Sequence, residues 1–512
     1  MVTSNIGLAT SEVQSFPAKS SGGARRLGPD ERKDFAIRVL ARTEPVTQLA
    51  RRGGVSRPLL YRQARRACDA LDACFDPPPA DAQVLFNLPV TKNLIEQLVL
   101  ALLLDGHASF RGVLAILEGV FHYDGLSLGA IHNRVQEAIR KARLINQAED
   151  LSAVRVGIHD EIFQVRRPVL VGLDARSTYC YLLSVEDHRD ETTWATHLLD
   201  LEQRNFHPDY TIADGGVGLR AGQAAACPAI PCHGDVFHAE RDLGQLVTYL
   251  ENRALGAVAA CQKVRARWDR AGRPYSRHRR ERPMLGRRLE AARQTQDAAV
   301  RLADDLRILA DWMRQDILAL AGPDLATRRL MFDFVVQELH AREASCPHRI
   351  TPVRRMLEGA RDDLLAFADV LEERFEELAA RFGVPLFLVR AVAENEGRNA
   401  NTPAFWQHRA GLHRQLGSRL HAITTAVREV FAETPRASSL VENLNSRLRT
   451  YFFLRREIGD GYLDLLRFFL NHRPFARSEH PERVGKSPAE LLTGQPHAHW
   501  LELLGYPRFQ RN

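Results

Sequence analysis

Apolar positions along this chain follow two different periods. Between Val154 and Asp214 they fall in short runs, and Val169–Leu173 and Tyr179–Val185 are rich in β-branched and aromatic residues. The intervening DARS suits a hairpin turn, so this pair predicts two antiparallel strands. The preceding VRVGIHDEIF reads as a further strand, and DETTWATHLLDLEQRN reads as a helix. Tyr210–Ala213 reads as a fourth strand, ending in Asp214 and two glycines. PAIPCHGDVFHAERDL then predicts a fifth short strand running into another helix.

Everywhere else the period is helical. Asp30–Arg42 predicts a helix, and VTQLARRGGVSRPLLYRQARRACDAL predicts a short helix, a turn at Gly53-Gly54 and a second helix after Ser56. Helix, glycine turn and Ser-capped helix is the helix-turn-helix pattern, with Arg57, Arg62, Arg65 and Arg66 placed to reach phosphates or base edges. A plain helical hairpin with a solvated basic face fits the same letters. The Pro-rich FDPPPADAQ marks a boundary. Asn93–Asn146 then reads as a second helix-turn-helix, with Ser127 capping a last helix that carries Arg134; packing against the neighbouring domain is the alternative. From Gln245 to Glu433 the chain is almost wholly helical. A final helix after Ser438 or Ser439 carries Glu442, Asn445, Arg447 and Arg449.

These periods divide the chain into a disordered leader (1–28), a helix-turn-helix domain (29–75), a second helical domain (76–150), two parts of an α/β core (151–244 and 434–512) and an all-helical segment between them (245–433).

Composition narrows the function classes. Lys and Arg total 70 against 63 acids, for a net charge of +7, which is compatible with a nucleic-acid partner. The charge is uneven: residues 262–288 hold eleven Lys or Arg against Asp269 and Glu281, with Trp268 and Tyr275 interleaved. Arg265, Arg267, Arg277, Arg279 and Arg280 in that stretch are candidates for tracking phosphates, a solvated loop being the bland reading. The seven cysteines form no CxxC pair, so neither a zinc ribbon nor a disulfide framework is indicated, and a reducing cytoplasmic setting is expected. No run of apolar residues suits a membrane span or a signal peptide.

Carboxylates placed on these elements suggest phosphodiester chemistry. Such reactions use two divalent ions roughly 4 Å apart, which need few protein ligands, all of them carboxylates. Asp160 in the first strand, Asp214 after the fourth and Glu442 in the first turn of a late helix would supply them. Alone, each is weak: an Asp before Gly-Gly is usually a turn residue, and a Glu in a first helical turn usually answers the helix dipole. Asp174 competes with Asp160, but counting strands back from Asp214 makes it a turn residue. Glu161 should point to the opposite face of the strand from Asp160.

The segments HDEIF, VLVGLDARS, TIADGGVGLRAG, DVFHAERDL, SSLVENLNSRLRTYF and FFLNHRPFARS with GKSPAELLTG resemble a DDE-type transposase of a bacterial insertion sequence, in the retroviral integrase and RNase H-like superfamily. The resemblance covers roughly residues 155–240 and 436–507. It implies a multidomain α+β protein: N-terminal helix-turn-helix modules and an RNase H-like core interrupted by a large all-α insertion. It implies Asp160, Asp214 and Glu442 as catalytic metal ligands for two Mg²⁺ or Mn²⁺ ions, with Asp160 bridging. Asp235 and His238, which match a C/D-x-x-H signature, and Asn445 would support them; an N-cap aspartate and a packed histidine is the alternative for the pair. Glu433 and Glu457 are neighbouring candidates for the third carboxylate, and the EN-x-N-S-x-L-R context favours Glu442. Double-stranded DNA, as terminal repeats and target, would be the partner of a homodimer or larger assembly associated with the bacterial nucleoid. A DNA-binding regulator without chemistry and an RNase H-like nuclease are the rival functions.

Overall fold

The computed structural model describes residues 27–75, 88–436, 438–454, 459–478 and 480–508. Most of the expected leader, the Pro-rich linker and Glu457 lie outside the described residues. The chain divides into two compact units, Met1–Val90 and Thr91–Asn512.

The first unit holds α1 (Pro29–Leu40), α2 (Val46–Gly53) and α3 (Arg57–Phe75). Leu49, Ala50 and Leu60 form its core, with Phe35, Val39, Val46 and Val55 packed around them. The two glycines have separate jobs. A Cβ on Gly53 would stand 2.5 Å from the Phe35 ring, and Gly54 ends α2 in a left-handed conformation at φ 61°. Arg57, Arg62, Arg65 and Arg66 are all exposed.

The second unit opens with α4 (Lys92–Leu104), α5 (Phe110–Phe121) and α6 (Leu128–Ala148), followed by β1 (Val156–Gln164), β2 (Arg167–Asp174) and β3 (Cys180–Val185). Next come α7 (Glu191–Glu202), β4 (Tyr210–Ala213), α8 (Val217–Ala226) and β5 (Cys232–Gly234). A helical run comprises α9 (Val236–Ala271), α10 (Arg282–Trp312), α11 (Leu325–Arg342), α12 (Pro347–Phe382), α13 (Leu386–Glu396), α14 (Pro403–Leu416) and α15 (Arg419–Glu433). It already begins at Val236, directly after β5. The unit closes with α16 (Ser439–Leu454), α17 (Asp460–His472), α18 (Pro488–Thr493) and α19 (Trp500–Leu503).

The five strands form one sheet in the order β3-β2-β1-β4-β5. β1, β2 and β3 are antiparallel neighbours, whereas β4 lies parallel to β1 and β5 parallel to β4. Alternation along each strand sends side chains to two cores. Ile158, Ile162, Val169, Val171 and Leu173 face α4, α5, α6, α16 and α17, while Leu170, Tyr181 and Leu182 face α7, α8 and α18. A third core fills α9 to α15.

The helices of residues 92–148 share the first of these cores with the sheet. Ser127 caps α6 by accepting from Ala130 N at 3.1 Å, and α6 is tied down by Asn146 donating to the Asp464 carbonyl at 2.8 Å and Lys141 to the Leu504 carbonyl at 2.8 Å.

Candidate metal centre

Because β1 and β4 are parallel neighbours, with His159 opposite Ala213, the end of β4 delivers Asp214 beside Asp160. The N-terminus of α9 adds His238. Asp160, Asp214 and His238 each offer a ligand atom, and these atoms lie within 4.8 Å of one another. Three such groups can hold a divalent ion.

Asp160 is 5 % exposed. Its Oδ1 accepts from the Glu161 backbone N–H at 2.8 Å and its Oδ2 from Asn445 Nδ2 at 2.9 Å. Burial pushes the carboxyl up to about 6, with Asp214 adding to the push, against those hydrogen bonds and nearby His238. Glu161 does point the other way, accepting from Trp194 Nε1 at 3.0 Å and Arg189 at 2.6 Å.

Asp214 accepts from Gly216 N at 2.9 Å, and a Cβ on Gly216 would come within 2.8 Å of that carboxylate oxygen. Arg220 braces the loop. Its guanidinium donates to the Asp214 carbonyl at 3.0 Å, to the Ala213 carbonyl at 3.3 Å and to Asp363 on α12 at 2.6 Å.

Asp235 and His238 form a hydrogen-bonded pair through His238 Nδ1. A carboxylate acceptor assigns the proton to Nδ1 and leaves Nε2 as the nitrogen able to bind a metal. Burial opposes the charge of Asp235, but hydrogen bonds from His238 and Ser438 outweigh it and hold the carboxyl below its ordinary value. The same pairing, again against burial, raises His238. Asp235 also caps α9 through Phe237 N at 2.9 Å and accepts from both Ser438 N, at 2.9 Å, and the Ser438 hydroxyl. That hydroxyl is therefore turned to Asp235 rather than capping α16.

Glu442 lies outside the group of three. It is half-buried and faces Arg241 at 3.8 Å and Arg449 at 3.9 Å. Glu433 is further removed in role, pairing with Arg374 at 3.9 Å. Asp174 is the last residue of β2 and its side chain holds the turn that follows, accepting from Ser177 N at 2.7 Å and Ser177 Oγ at 2.5 Å.

The chemistry of the donor set fits a divalent ion. Two carboxylates and an imidazole converge, and Asn445 Oδ1 beside them is a buried acceptor with no partner among the described residues. Waters carried by an ion would satisfy it. The imidazole shifts the preference from Mg²⁺ toward Mn²⁺, since nitrogen ligands suit transition ions better.

The basic candidates separate. Arg265, Arg267, Arg277, Arg279 and Arg280 are exposed, and so is Arg449. Arg134 is half-buried against Glu96 at 3.2 Å. Arg447 is turned inward, where burial lowers its guanidinium. Reading the sequence alone missed two residues here. Arg220 carries no local signal. His159, fully buried on the far face of β1 and pushed down to about 4 by burial, resembles any core residue in sequence.

Among solved structures, the chain aligns with the Drosophila P element transposase strand transfer complex. Identity is 12 % over 77 % of this chain and 98 % of that one, with a TM-score of 0.32. No protein-family model and no curated protein matches the chain. At that identity and score the likeness assigns no activity. Among the described residues no helix is long and apolar enough to cross a membrane.

Proposed function

We propose that this protein is a DDE-type DNA transposase: it binds the ends of a mobile element, cleaves there, and joins the 3′-hydroxyl to a target phosphodiester. The observation that carries the reading is the convergence of Asp160 and Asp214, from adjacent parallel strands, with His238. On this reading the sheet is an RNase H-like core, the α9–α15 run is its insertion, and α2 and α3 form a helix-turn-helix for the element ends. Duplex DNA is the partner, and joining two ends together calls for paired active sites and therefore a dimer or larger assembly.

Divalent ions, two in the full reaction, would activate the attacking water or 3′-hydroxyl and neutralise the leaving oxygen. Asp160, in the middle of β1, and Asp214, just past the end of β4, would hold them, and Asp235 holds the His238 ring in place. Glu442 is one helical turn before Asn445 on α16. It becomes the third carboxylate when Arg241 and Arg449 exchange their contact with it for DNA phosphates.

The pairing of Glu442 with those arginines also favours a second reading, a DNA-binding regulator that keeps the fold without the chemistry. Cleavage and strand transfer with Mg²⁺ or Mn²⁺, on DNA carrying the element's flanking ends, separates the two. Asp160→Ala, Asp214→Ala and Glu442→Ala should each cost at least about a hundredfold in rate while end binding persists, and Asp174→Ala should not. Wild type that binds the ends and never cuts them would establish the regulator.

A further inference from the structure

The helix that supplies His238 near its start carries the basic stretch at its far end. α9 runs for 36 residues without a break and turns back through 272–281 into α10, which has 31. Near the turn the two helices lie antiparallel and close: a Cβ on Gly286 would stand 3.4 Å from Trp268, and one on Gly272 3.0 Å from Arg282. Cys261, Ala271, Leu285 and Leu289 are buried along this distal part yet lie outside the core that unites α9 to α15. The outer portion of the hairpin is therefore an arm of two helices.

Charge is sorted along the whole hairpin, from its core-packed inner part to this arm. Its shaft, residues 236–261 and 289–312, holds five Lys or Arg against eight acids, whereas the turn region 262–288 holds eleven against two. Shaft residues are engaged, as in the Arg307 contacts with Glu251 at 3.7 Å and Asp304 at 3.0 Å. None of the eleven basic residues forms an ion pair among the described residues; Glu281 is taken by His278 at 3.1 Å. Trp268 is occupied by Arg282, 4.9 Å from its ring, while Tyr275 at the turn is fully exposed with φ 65°. So much like charge on two helices repels itself, and a polyanion relieves it.

We propose that this hairpin is a measuring arm, whose tip grips the sugar-phosphate backbone of duplex DNA at a set distance from the phosphodiester held at Asp160, Asp214 and His238. The inference rests on the DNA-processing function proposed above and adds the geometry of engagement. From His238 to the tip is about 50 Å at 1.5 Å per residue. That length spans about 15 base pairs at 3.4 Å each. The acidic shaft repels phosphate between the two points, so DNA is held at the root and the tip.

The test uses the full chain and fluorescein-labelled blunt duplexes from 8 to 40 base pairs, in Ca²⁺ to suppress cleavage. Affinity should step up by about tenfold or more once the duplex exceeds roughly 15 base pairs, and the log–log salt dependence should steepen by about 3 across that step. Arg277→Gln/Arg279→Gln/Arg280→Gln should abolish the step. Trp268–Gly286 and Gly272–Arg282 set the register of the hairpin. Excising 255–261 together with 293–299 removes two turns from each helix in that register and should move the step inward by about 3 base pairs. A step that survives the triple substitution, or that stays put in a shortened protein of normal helicity, overturns the arm. If the shortened protein does not fold, the triple substitution decides alone. Tip-dependent retention on phosphatidylserine vesicles without a duplex-length step would overturn it too. Plasmid nicking by the same wild-type preparation in Mn²⁺ separates the failures. Nicking without a length step sinks the arm alone, and neither nicking nor duplex binding sinks the proposed function as well.

Discussion

Asn445 on α16 donates its side-chain amide to Asp160 Oδ2 on β1 at 2.9 Å, across 285 positions of chain. Both residues are buried, and the bond favours the ionised carboxylate in a place where burial disfavours it. Asn445→Ala is therefore expected to raise the Asp160 pKa by about one unit, the equivalent of one charge-assisted hydrogen bond, and to weaken Mn²⁺ binding by about threefold at pH 6.5 and about tenfold at pH 5. The deficit should shrink above pH 8, where Asp160 ionises regardless. Calorimetric titration with Mn²⁺ at several pH values would show it. A deficit independent of pH would mean that Asn445 acts only by packing.

Asp160 titrates at about 6 in the fold against an ordinary 3.8. The folded state holds this proton more tightly, so its contribution to stability is complete below pH 3.8 and lost as pH rises through 6. The loss is of order 3 kcal/mol. Asp160→Asn should raise the melting temperature of metal-free protein at pH 8 and leave it nearly unchanged at pH 4. Mn²⁺ should remove the advantage by stabilising wild type alone.

His159, His233 and His472 are each pushed down to about 4 by burial. Between pH 6.5 and 4 the unfolded chain binds these protons and the folded one does not. Stability should thus fall as pH falls through that window, opposite in sign to Asp160. His472→Gln, which can still donate to the Phe468 carbonyl, should flatten the dependence by up to about 1.4 kcal/mol per pH unit. Urea unfolding at pH 4.5, 5.5 and 6.5 measures the slope.

Arg220 holds the backbone of Asp214 while its Nη1 reaches Asp363 on α12. A lysine cannot reproduce that fork of contacts. Arg220→Lys is expected to lower kcat by about ten- to a hundredfold, through misplacement of Asp214, with little change in KM for DNA. Asp363→Asn, which keeps a hydrogen-bond acceptor, should have a smaller effect of the same kind. Equal losses in kcat and in DNA binding would point to a folding defect instead.

The amino-acid sequence determined by itself the local elements of this protein. Short β-branched runs make the strands, Ser127 caps α6, and Gly53-Gly54 turns α2 toward α3, because periodicity, caps and glycine turns act over a few residues. The separation of Asp160 from Asp174 was also legible, since it needs only a count of strands and the two-residue alternation along them. Which side chains meet across elements was decided by the tertiary structure. His238 sits among the candidate ligand atoms and Glu442 beside Arg241 and Arg449, because these depend on how α9 and α16 dock against the sheet. Arg134 is committed to Glu96, Arg447 is turned inward, and Arg220 ties the Asp214 loop to α12 for the same reason. Helix phase sets which way a residue points along its own axis, but only packing sets what it finds there.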